Sequence, residues 1–286
     1  MHRWHERRKA FRTVLEGSAC VHPASVFDPI SMRIAKDLGF KVGMLGGSMA
    51  SLAVLGAPDL IVLTLSELAG LVSRMARASD LPIMVDADHG YGNALSVMRT
   101  VEELEAAGAA GLSIEDTALP SAYGSEGKPR FISLEEATAK LRAAVEARHD
   151  PDLMIAGRTD TAGPLGAEEA AKRALAYQET GVNAIFLVGV KTRADLEQIA
   201  GPLTLPIILG GASPEMMDKD YLAAQGVRLC LQGHHTLPAA MNAVHETLKH
   251  LGAGGAPADL TGQPSTELKG LATRAQDYER WAKEFL

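Results

Sequence analysis

Short apolar runs alternate with longer amphipathic segments along most of the chain. We predict that the apolar runs are strands, and they cover residues 19–22, 42–45, 83–85, 111–114, 154–156, 184–188, 207–209 and 227–231. Between them, helix-like segments cover residues 64–78, 94–107, 134–147, 167–179 and 192–199. Strands that alternate with helices pair in parallel, and eight such units close a barrel, so the pattern predicts an α/β fold of the TIM-type (β/α)8 class. A doubly wound open sheet is the alternative fold.

Further helices are predicted at both ends of the chain. An amphipathic N-terminal helix runs to about Leu15, and a glycine-rich linker at residues 252–257 precedes an amphipathic C-terminal helix over about 266–285. We therefore expect residues 1–251 to form the barrel with its N-terminal helix, and residues 252–286 to form the linker and the last helix. A helix on such a tether packs either on a neighbouring subunit or on its own barrel.

Composition and charge narrow the class of protein. The 286 residues are 47% hydrophobic and 22% charged, which is ordinary for a globular protein. The formal net charge of −7 argues against a nucleic-acid partner, and no apolar run approaches the roughly 18 residues that a membrane span needs. The two cysteines, Cys20 and Cys230, form no C-x-x-C pattern, which argues against a disulfide framework or a zinc site and fits a cytoplasmic protein.

The clearest chemical signal is a run of carboxylates and glycines directly after an apolar strand. It consists of Asp86, Ala87, Asp88, His89, Gly90, Tyr91 and Gly92. Residues two apart on a strand point to the same side, so Asp86 and Asp88 can face one point. Two carboxylates held that close repel each other unless a cation lies between them, and hard oxygen ligands suit Mg²⁺ or Mn²⁺. The alternative is a solvated turn at the end of a strand.

The residues that follow the second strand suggest an anion site. In a parallel barrel the active site forms at the carboxyl ends of the strands. Gly46, Gly47 and Ser48 lie there and also begin a helix-like segment. Backbone N–H groups and a serine hydroxyl at a helix start can cradle a carboxylate or phosphate. A tight strand-to-helix turn without a ligand is the alternative.

Charged residues also follow the fourth, fifth and eighth strands. Glu115 adds a carboxylate near the same point. The guanidinium of Arg158 suits a substrate carboxylate, although a structural salt bridge to Glu115 or Asp160 would also satisfy it. One of the two histidines His234 and His235 can face the pocket. Together these groups would chelate a small dianion through a metal and stabilise an enolate-like charge.

The chain resembles the isocitrate lyase/phosphoenolpyruvate mutase superfamily from about residue 19 to residue 250. The resemblance is carried by Gly46-Gly47-Ser48, Asp86-Ala87-Asp88-His89-Gly90-Tyr91-Gly92, Ile114-Glu115-Asp116 and Arg158-Thr159-Asp160. Within the superfamily the chain is most similar to the bacterial oxaloacetate decarboxylase branch, through residues 24–29, 88–95, 114–117 and 233–234. This similarity implies a lyase that decarboxylates oxaloacetate to pyruvate and CO₂ through a metal-stabilised enolate. It also implies a homotetramer, a dimer of dimers, in which the C-terminal helix is exchanged between subunits.

The resemblance also implies a role for each site residue. Asp86 would bind Mg²⁺ directly, with Mn²⁺ as an alternative ion, and Asp88 and Glu115 would hold its water ligands. On the substrate side the implied ligand is a small dianionic 2-oxo acid. Its contacts would come from Gly47, Ser48, Arg158 and His234, of which Arg158 and His234 would also be catalytic.

Two departures from the family pattern leave other reactions open. The superfamily's lyases carry a K-[KR]-C-G-H loop, whereas residues 117–130 contain neither cysteine nor histidine. The decarboxylases carry a tyrosine shortly after the seventh strand, where this chain has Gly210, Gly211 and Ala212. The alternatives are another superfamily reaction on a small 2-oxo or 2-hydroxy acid, namely a C–C lyase such as methylisocitrate lyase, a C–C hydrolase or a phosphonate mutase. A non-catalytic barrel that binds a metabolite is the alternative from a different class.

Overall fold

Eight parallel strands pair in chain order around a barrel. The computed structural model describes residues 4–124 and 129–286. Its strands are β1 Ala24–Ser25, β2 Gly43–Leu45, β3 Ile83–Asp86, β4 Gly111–Glu115, β5 Met154–Thr159, β6 Ala184–Leu187, β7 Ile207–Leu209 and β8 Val227–Cys230. A parallel bridge between Val21 and Leu229 joins the segment before β1 to β8 and closes the ring. The (β/α)8 prediction is confirmed, and the open sheet is excluded.

The first strand lies a few residues later than residues 19–22. Val21 donates its N–H to Arg228 O of β8 (3.0 Å), whereas Ala24 donates to Val42 O, next to β2 (2.9 Å). The chain therefore changes partner strands between these two residues, across Pro23, which has no N–H to donate. This change of partner, which the apolar pattern does not encode, explains why the predicted range was wrong.

Helices cover the outside of the barrel and extend beyond it. They are α1 His5–Glu16, α2 Pro29–Asp37, α3 Gly47–Leu55, α4 Leu65–Ala78, α5 Ala94–Ala107, α6 Leu134–Ala147, α7 Ala167–Gln178, α8 Arg193–Ala200, α9 Lys219–Ala224, α10 Thr236–Gly252, α11 Thr266–Thr273 and α12 Ala275–Phe285. Asn93 and Ser133 cap α5 and α6 by accepting backbone N–H groups of the first turn. These local signals explain why both helices have the predicted bounds. No helix in the described part of the chain is long and apolar enough to cross a membrane.

Helix α1 closes the amino-terminal end of the barrel. Phe11 and Leu15 pack with the side chains that fill the barrel interior, and a side chain at Gly111 would overlap the Phe11 ring. The buried Arg8 ties α1 to the barrel through an ion pair with Asp150 (2.7 Å) and a bond to Ala109 O (3.0 Å). Because α1 fills this end, the carboxyl ends of the strands form the open end of the barrel.

The C-terminal helices pack unlike the rest of the chain. Helices α10 and α12 contain no buried residue, whereas α11 packs against α2, where Arg33 Nη1 donates to Ala272 O (2.6 Å). The single helix predicted over residues 266–285 was wrong, because Arg274 takes a left-handed conformation (φ 59°) and divides it into α11 and α12.

Candidate active site

A cavity of about 530 Å³ opens at the carboxyl ends of the strands. Its polar lining includes Ser48, Asp59, Asp86, Asp88, Glu115, Arg158 and His234. The structure therefore brings together six of the seven predicted site residues. The seventh, Gly47, lies directly behind Asp88, because a side chain at this position would overlap Asp88 Oδ1.

Asp86 is the last residue of β3 and is buried at the base of the cavity. Its Oδ1 accepts a hydrogen bond from Ser113 Oγ on the neighbouring strand (3.2 Å). Its Oδ2 lies 2.6 Å from Arg158 Nη1. Since the two contacts come from β4 and β5 and involve different oxygens, the carboxylate has a fixed orientation.

Asp88 reaches the cavity through a turn rather than through strand alternation. Strand β3 ends at Asp86, and Asp88 takes a left-handed conformation with φ 48°. Its carboxylate lies against Gly47 at the start of α3. The expectation that both aspartates face one region holds, but the strand argument for it was wrong.

Arg158, on β5, lies among carboxylates. Its guanidinium contacts Asp86 (2.6 Å), Glu115 (2.9 Å) and Asp160 (2.8 Å), and it lies 5.4 Å from the centroid of the Phe186 ring. Burial alone would lower the pKa of Arg158, but these carboxylates raise it well above its ordinary value. The ion pairs to Glu115 and Asp160 named as the structural alternative are therefore present, while Arg158 also faces the cavity.

The carboxylates of the cavity outnumber the cations that face them. Four carboxylates and one arginine line its described part. Burial raises the pKa of Asp88, and repulsion from Asp86 and Glu115 raises it further. Burial is also the main cause that raises the pKa of Glu115, and Asp160 and Asp86 add to it. A divalent cation would remove this repulsion, and carboxylate oxygens are the ligands that Mg²⁺ and Mn²⁺ prefer, so the residues fit the ion.

A second acidic group lies at the opposite end of the barrel. Among the described residues, His5, Asp150 and Asp152 place possible ligand atoms within 4.8 Å of one another. However, Asp150 already pairs with Arg8 (2.7 Å), and Asp152 pairs with Arg12 (3.1 Å). Because arginines neutralise these carboxylates, we assign this cluster to the anchoring of α1 and not to a metal.

The start of α3 forms the anion-binding side of the cavity. Gly46 precedes the helix, Gly47 begins it, and Ser48 lines the cavity in its first turn. The first N–H groups of a helix have no partner within the helix and carry a partial positive charge. The two glycines also permit close contacts, since a side chain at Gly46 would lie 2.5 Å from His234 Nε2.

The structure separates the two histidines that follow β8. His234 lines the cavity, and its Nδ1 lies 2.8 Å from Ser25 Oγ at the end of β1. Burial lowers the pKa of His234, although Asp86 opposes this effect. His235 is exposed at the start of α10 and lines a different groove. Only His234 can therefore contact a ligand in the cavity.

Three residues near the cavity were missed in the sequence, because none of them directly follows a predicted strand in the way that the other site residues do. Asp59 lies between α3 and α4, where Pro58-Asp59 is typical of a turn, and burial raises its pKa. Phe186 points inward from the middle of β6, under Arg158. Ser25 belongs to the segment 24–29 that carries the resemblance, but its contact with His234 joins positions 209 apart, so the sequence assigned it no role.

One end of the long loop after β4 reaches the cavity. Leu119, Pro120 and Ser121 line it. The ends of the loop pair with each other, since Ala118 N donates to Arg130 O (2.7 Å). Residues 125–128, within the segment 117–130 that has neither the cysteine nor the histidine of the lyase loop, lie outside the described residues.

Comparisons with known proteins agree on one family. Residues 11–252 match the family model described as phosphoenolpyruvate phosphomutase. The chain is 57% identical to an oxaloacetate decarboxylase of Rhodopseudomonas palustris, over 99% of this chain and 98% of that one. It is 54% identical to an oxaloacetate decarboxylase of a Bradyrhizobium species, over 98% and 97% of the two chains.

Solved structures give the same picture of the fold. Oxaloacetate acetylhydrolase in complex with the inhibitor 3,3-difluorooxalacetate superposes with a TM-score of 0.85 at 26% identity, over 97% of each chain. Phosphonopyruvate hydrolase in complex with oxalate and Mg²⁺ superposes with a TM-score of 0.86 at 26% identity, over 98% of this chain and 99% of that one. These similarities extend over nearly the whole chain and are not confined to the barrel.

Proposed function

Because the chain belongs to the phosphoenolpyruvate phosphomutase family, we propose that it is a Mg²⁺-dependent lyase that decarboxylates oxaloacetate to pyruvate and CO₂. The observation that carries the proposal is the shared cavity of Asp86, Asp88, Glu115, Arg158 and His234. The full-length relatives named oxaloacetate decarboxylase support the choice of substrate.

The carboxylates would hold the ion on one side of the cavity. Asp86 would be the direct ligand, and Ser113 and the end of β3 hold its carboxylate in place for this role. Asp88 and Glu115 would hold the water ligands. When bound, Mg²⁺, or Mn²⁺ in its place, supplies Lewis-acid stabilisation of negative charge beside the keto group.

The substrate would lie between the start of α3 and His234. The carboxylate next to the keto group binds the Gly47 amide and the Ser48 hydroxyl. Cleavage of the bond to the distal carboxylate releases CO₂ and leaves its electron pair as the enolate of pyruvate. Arg158 faces this negative charge. A proton from water or from His234 then completes pyruvate at the same carbon, and Ser25 holds the imidazole in position.

A hydrolase reaction is the second candidate. The similarity to oxaloacetate acetylhydrolase favours it, since that protein's structure is known with the product oxalate at 27% identity to this chain. Hydrolysis of oxaloacetate would yield oxalate and acetate, whereas decarboxylation yields pyruvate and CO₂. The products therefore separate the two reactions without any assumption about the site.

The test is a product analysis with purified protein. Oxaloacetate, methylisocitrate and phosphonopyruvate are incubated with Mg²⁺ or with EDTA, and pyruvate, oxalate and CO₂ are quantified against the spontaneous rate. We expect Mg²⁺-dependent pyruvate and CO₂ in equal amounts from oxaloacetate. Oxalate as the product would establish the hydrolase instead. Oxalate binding without turnover of any substrate would indicate a metabolite-binding barrel.

We also propose that the protein is a cytoplasmic homotetramer in which subunits exchange their C-terminal helices. An apolar groove of about 590 Å³ between β1, α2 and the end of β8 includes Phe27, Ile30 and Phe40. This is the place where the eighth helix of a barrel packs, yet α10 contains no buried residue. A partner's α10 would fill the groove, so the exchanged part starts at α10 rather than at the glycine linker. Free buried thiols at both cysteines fit the cytoplasm.

A further inference from the structure

The turn that carries Asp88 has a strained backbone. Asp88 (φ 48°) and Tyr91 (φ 59°) are both in the left-handed region, and Gly90 (φ 75°) lies between them. A non-glycine residue in this region is strained and persists only where the surroundings hold it. The position of the Asp88 carboxylate therefore depends on whatever fixes this turn.

Side chains from two outer helices fix the turn by its carbonyl groups. Lys140 Nζ, on α6, donates to His89 O (2.5 Å). Thr100 Oγ1, on α5, lies within hydrogen-bond distance of Gly90 O (3.1 Å) and of Ser96 O on its own helix (3.0 Å), and its one hydrogen is shared between these two carbonyl groups. Both side chains are buried, with Lys140 3% and Thr100 0% exposed. The N–H of Glu115 donates to Asp88 O (2.9 Å) and fixes the residue from the barrel side.

A buried ammonium at Lys140 needs compensation. Burial lowers the pKa of Lys140, while Glu136, Glu115 and Asp116 act in the opposite direction. A buried cation is costly unless it is paired and hydrogen-bonded. The hydrogen bond from Lys140 to His89 O joins the lysine to the turn that carries Asp88. Lys140 does not line the substrate cavity.

We propose that Lys140 and Thr100 are positioning residues of the metal site. By holding His89 O and Gly90 O they keep the turn in the conformation that places the Asp88 carboxylate in the cavity. The inference rests on the proposed metal site. It assigns these two residues no contact with the ion or the substrate.

The sign of the effect on metal affinity distinguishes positioning from a simple charge effect. The Lys140 ammonium is close enough to Glu115 to influence its carboxylate, so it repels a cation bound there. If charge were its only influence, removing it would tighten metal binding. If Lys140 positions Asp88, removing it weakens metal binding despite the lost repulsion.

The experiment measures Mn²⁺ binding to the metal-free full chain by electron paramagnetic resonance. Lys140→Met keeps the approximate side-chain volume and removes the ammonium donor. Thr100→Val likewise keeps the shape of the side chain and removes the hydroxyl donor. Lys36→Met is the matched control, because Lys36 is an exposed lysine of α2 paired with Asp80. Loss of groups that orient metal ligands typically weakens affinity about 10- to 100-fold. We expect the Kd to rise at least about tenfold in Lys140→Met, to rise less in Thr100→Val, and to stay unchanged in Lys36→Met.

Other results would overturn the inference in distinguishable ways. A folded Lys140→Met variant with an unchanged or lower Kd shows that Lys140 does not position Asp88. If circular dichroism shows that Lys140→Met does not fold, Thr100→Val decides, and an unchanged Kd there overturns the inference. Absence of Mn²⁺ binding in the parent protein overturns the proposed metal site itself, and the inference with it.

Discussion

At the scale of the residue, the site concentrates negative charge that the protein alone does not neutralise. Arg158 contacts Asp86, Glu115 and Asp160, yet the pKa values of Asp88 and Glu115 are raised. Folding thus brings carboxylates together against their mutual repulsion, and a bound divalent cation would offset this repulsion. The following two predictions concern single side chains of this cluster.

The first prediction concerns Asp86. Asp86→Asn keeps the shape of the side chain but removes its charge, so we expect decarboxylation to fall by at least about 100-fold, beyond the typical effect of groups that only orient a ligand. The melting temperature in EDTA should change little, because relief of the repulsion on Asp88 and Glu115 opposes the loss of the ion pair with Arg158. The increase on adding Mg²⁺ should disappear. Activity assays and thermal unfolding with and without Mg²⁺ measure both effects. A variant with parental activity at low Mg²⁺ would show that Asp86 is not a metal ligand.

The second prediction compares the two adjacent histidines. His234→Ala should lower kcat for oxaloacetate by one or more orders of magnitude, as expected for a positioned acid or base. Because burial lowers the pKa of His234, raising the pH from 7 to 8 should change the charge of its ring little, and the loss should be similar at both pH values. His235→Ala is the control, since His235 is outside the cavity. Equal losses in the two variants would contradict the assignment.

At the scale of the element, the start of α3 and the base of the long loop give the cavity its shape. Helix α3 turns directly out of β2 through two glycines. The loop after β4 is joined at its base by Thr117 and Phe131, which form an antiparallel bridge. The helix start and the loop base each bring a segment of backbone close to the site, and the next two predictions test their contributions.

The third prediction concerns the beginning of α3. In Gly47→Ala the new methyl group would overlap the Asp88 carboxylate, so we expect at least about tenfold weaker Mn²⁺ binding, the range for misplaced metal ligands. The helix itself should gain stability, because alanine is the better helix former. Gly70→Ala in α4 is the control, since its nearest neighbour would be 3.6 Å away. Unchanged metal affinity in Gly47→Ala would show that the contact with Asp88 is not required.

The fourth prediction concerns Arg173, which anchors both ends of the loop after β4. Its Nη1 pairs with the buried Asp116 (3.0 Å), and its Nη2 donates to Ile132 O (3.2 Å). Arg173→Met leaves Asp116 with Tyr177 OH as its remaining side-chain donor among the described residues. Breaking a buried ion pair costs about 3–5 kcal/mol, so the unfolding free energy should fall by about this amount.

Arg173→Met should also raise KM more than it lowers kcat, because Leu119 and Pro120 would no longer be held at the cavity. Urea unfolding and steady-state kinetics measure the two effects. Lys172→Met on the same helix is the control, since Lys172 is exposed. A stable variant with unchanged KM would show that the anchor does not act on the site.

At the scale of the whole molecule, the barrel is complete except for the packing of its eighth helix. Residues Met241, Val244 and Leu248 form an exposed apolar face on α10. The groove beside α2 contains apolar side chains of matching character. Exposed apolar surfaces of this kind indicate an association site, and both surfaces belong to the same chain.

The fifth prediction concerns this face of α10. Met241→Glu combined with Val244→Glu should dissociate the proposed tetramer, because a carboxylate in an apolar groove loses its hydration without gaining a partner. Light scattering after gel filtration measures the mass. Lys249→Glu on the same helix is the control, since Lys249 is exposed and lies beyond the apolar face. A parent protein that is monomeric would contradict the exchange directly.

The sequence by itself determined the order of elements and the end of the barrel that carries the chemistry. Helices α5 and α6 agree with their predicted bounds because periodicity and capping involve residues only a few positions apart. Asp86, Glu115 and Arg158 could be grouped because the carboxyl ends of parallel strands meet at one end of a barrel.

Only the tertiary structure decided how these groups contact one another. Distant segments determine the left-handed turn of Asp88 and the partners of Arg158. They also determine that His234 rather than His235 faces the cavity, and that Asp59 lines it. Ser25 and His234, for example, are separated by 209 positions in the chain. The packing of α10 likewise depends on what covers the groove beside α2. Local patterns do not encode such contacts, because they arise only when the closed barrel brings separate loops to the same place.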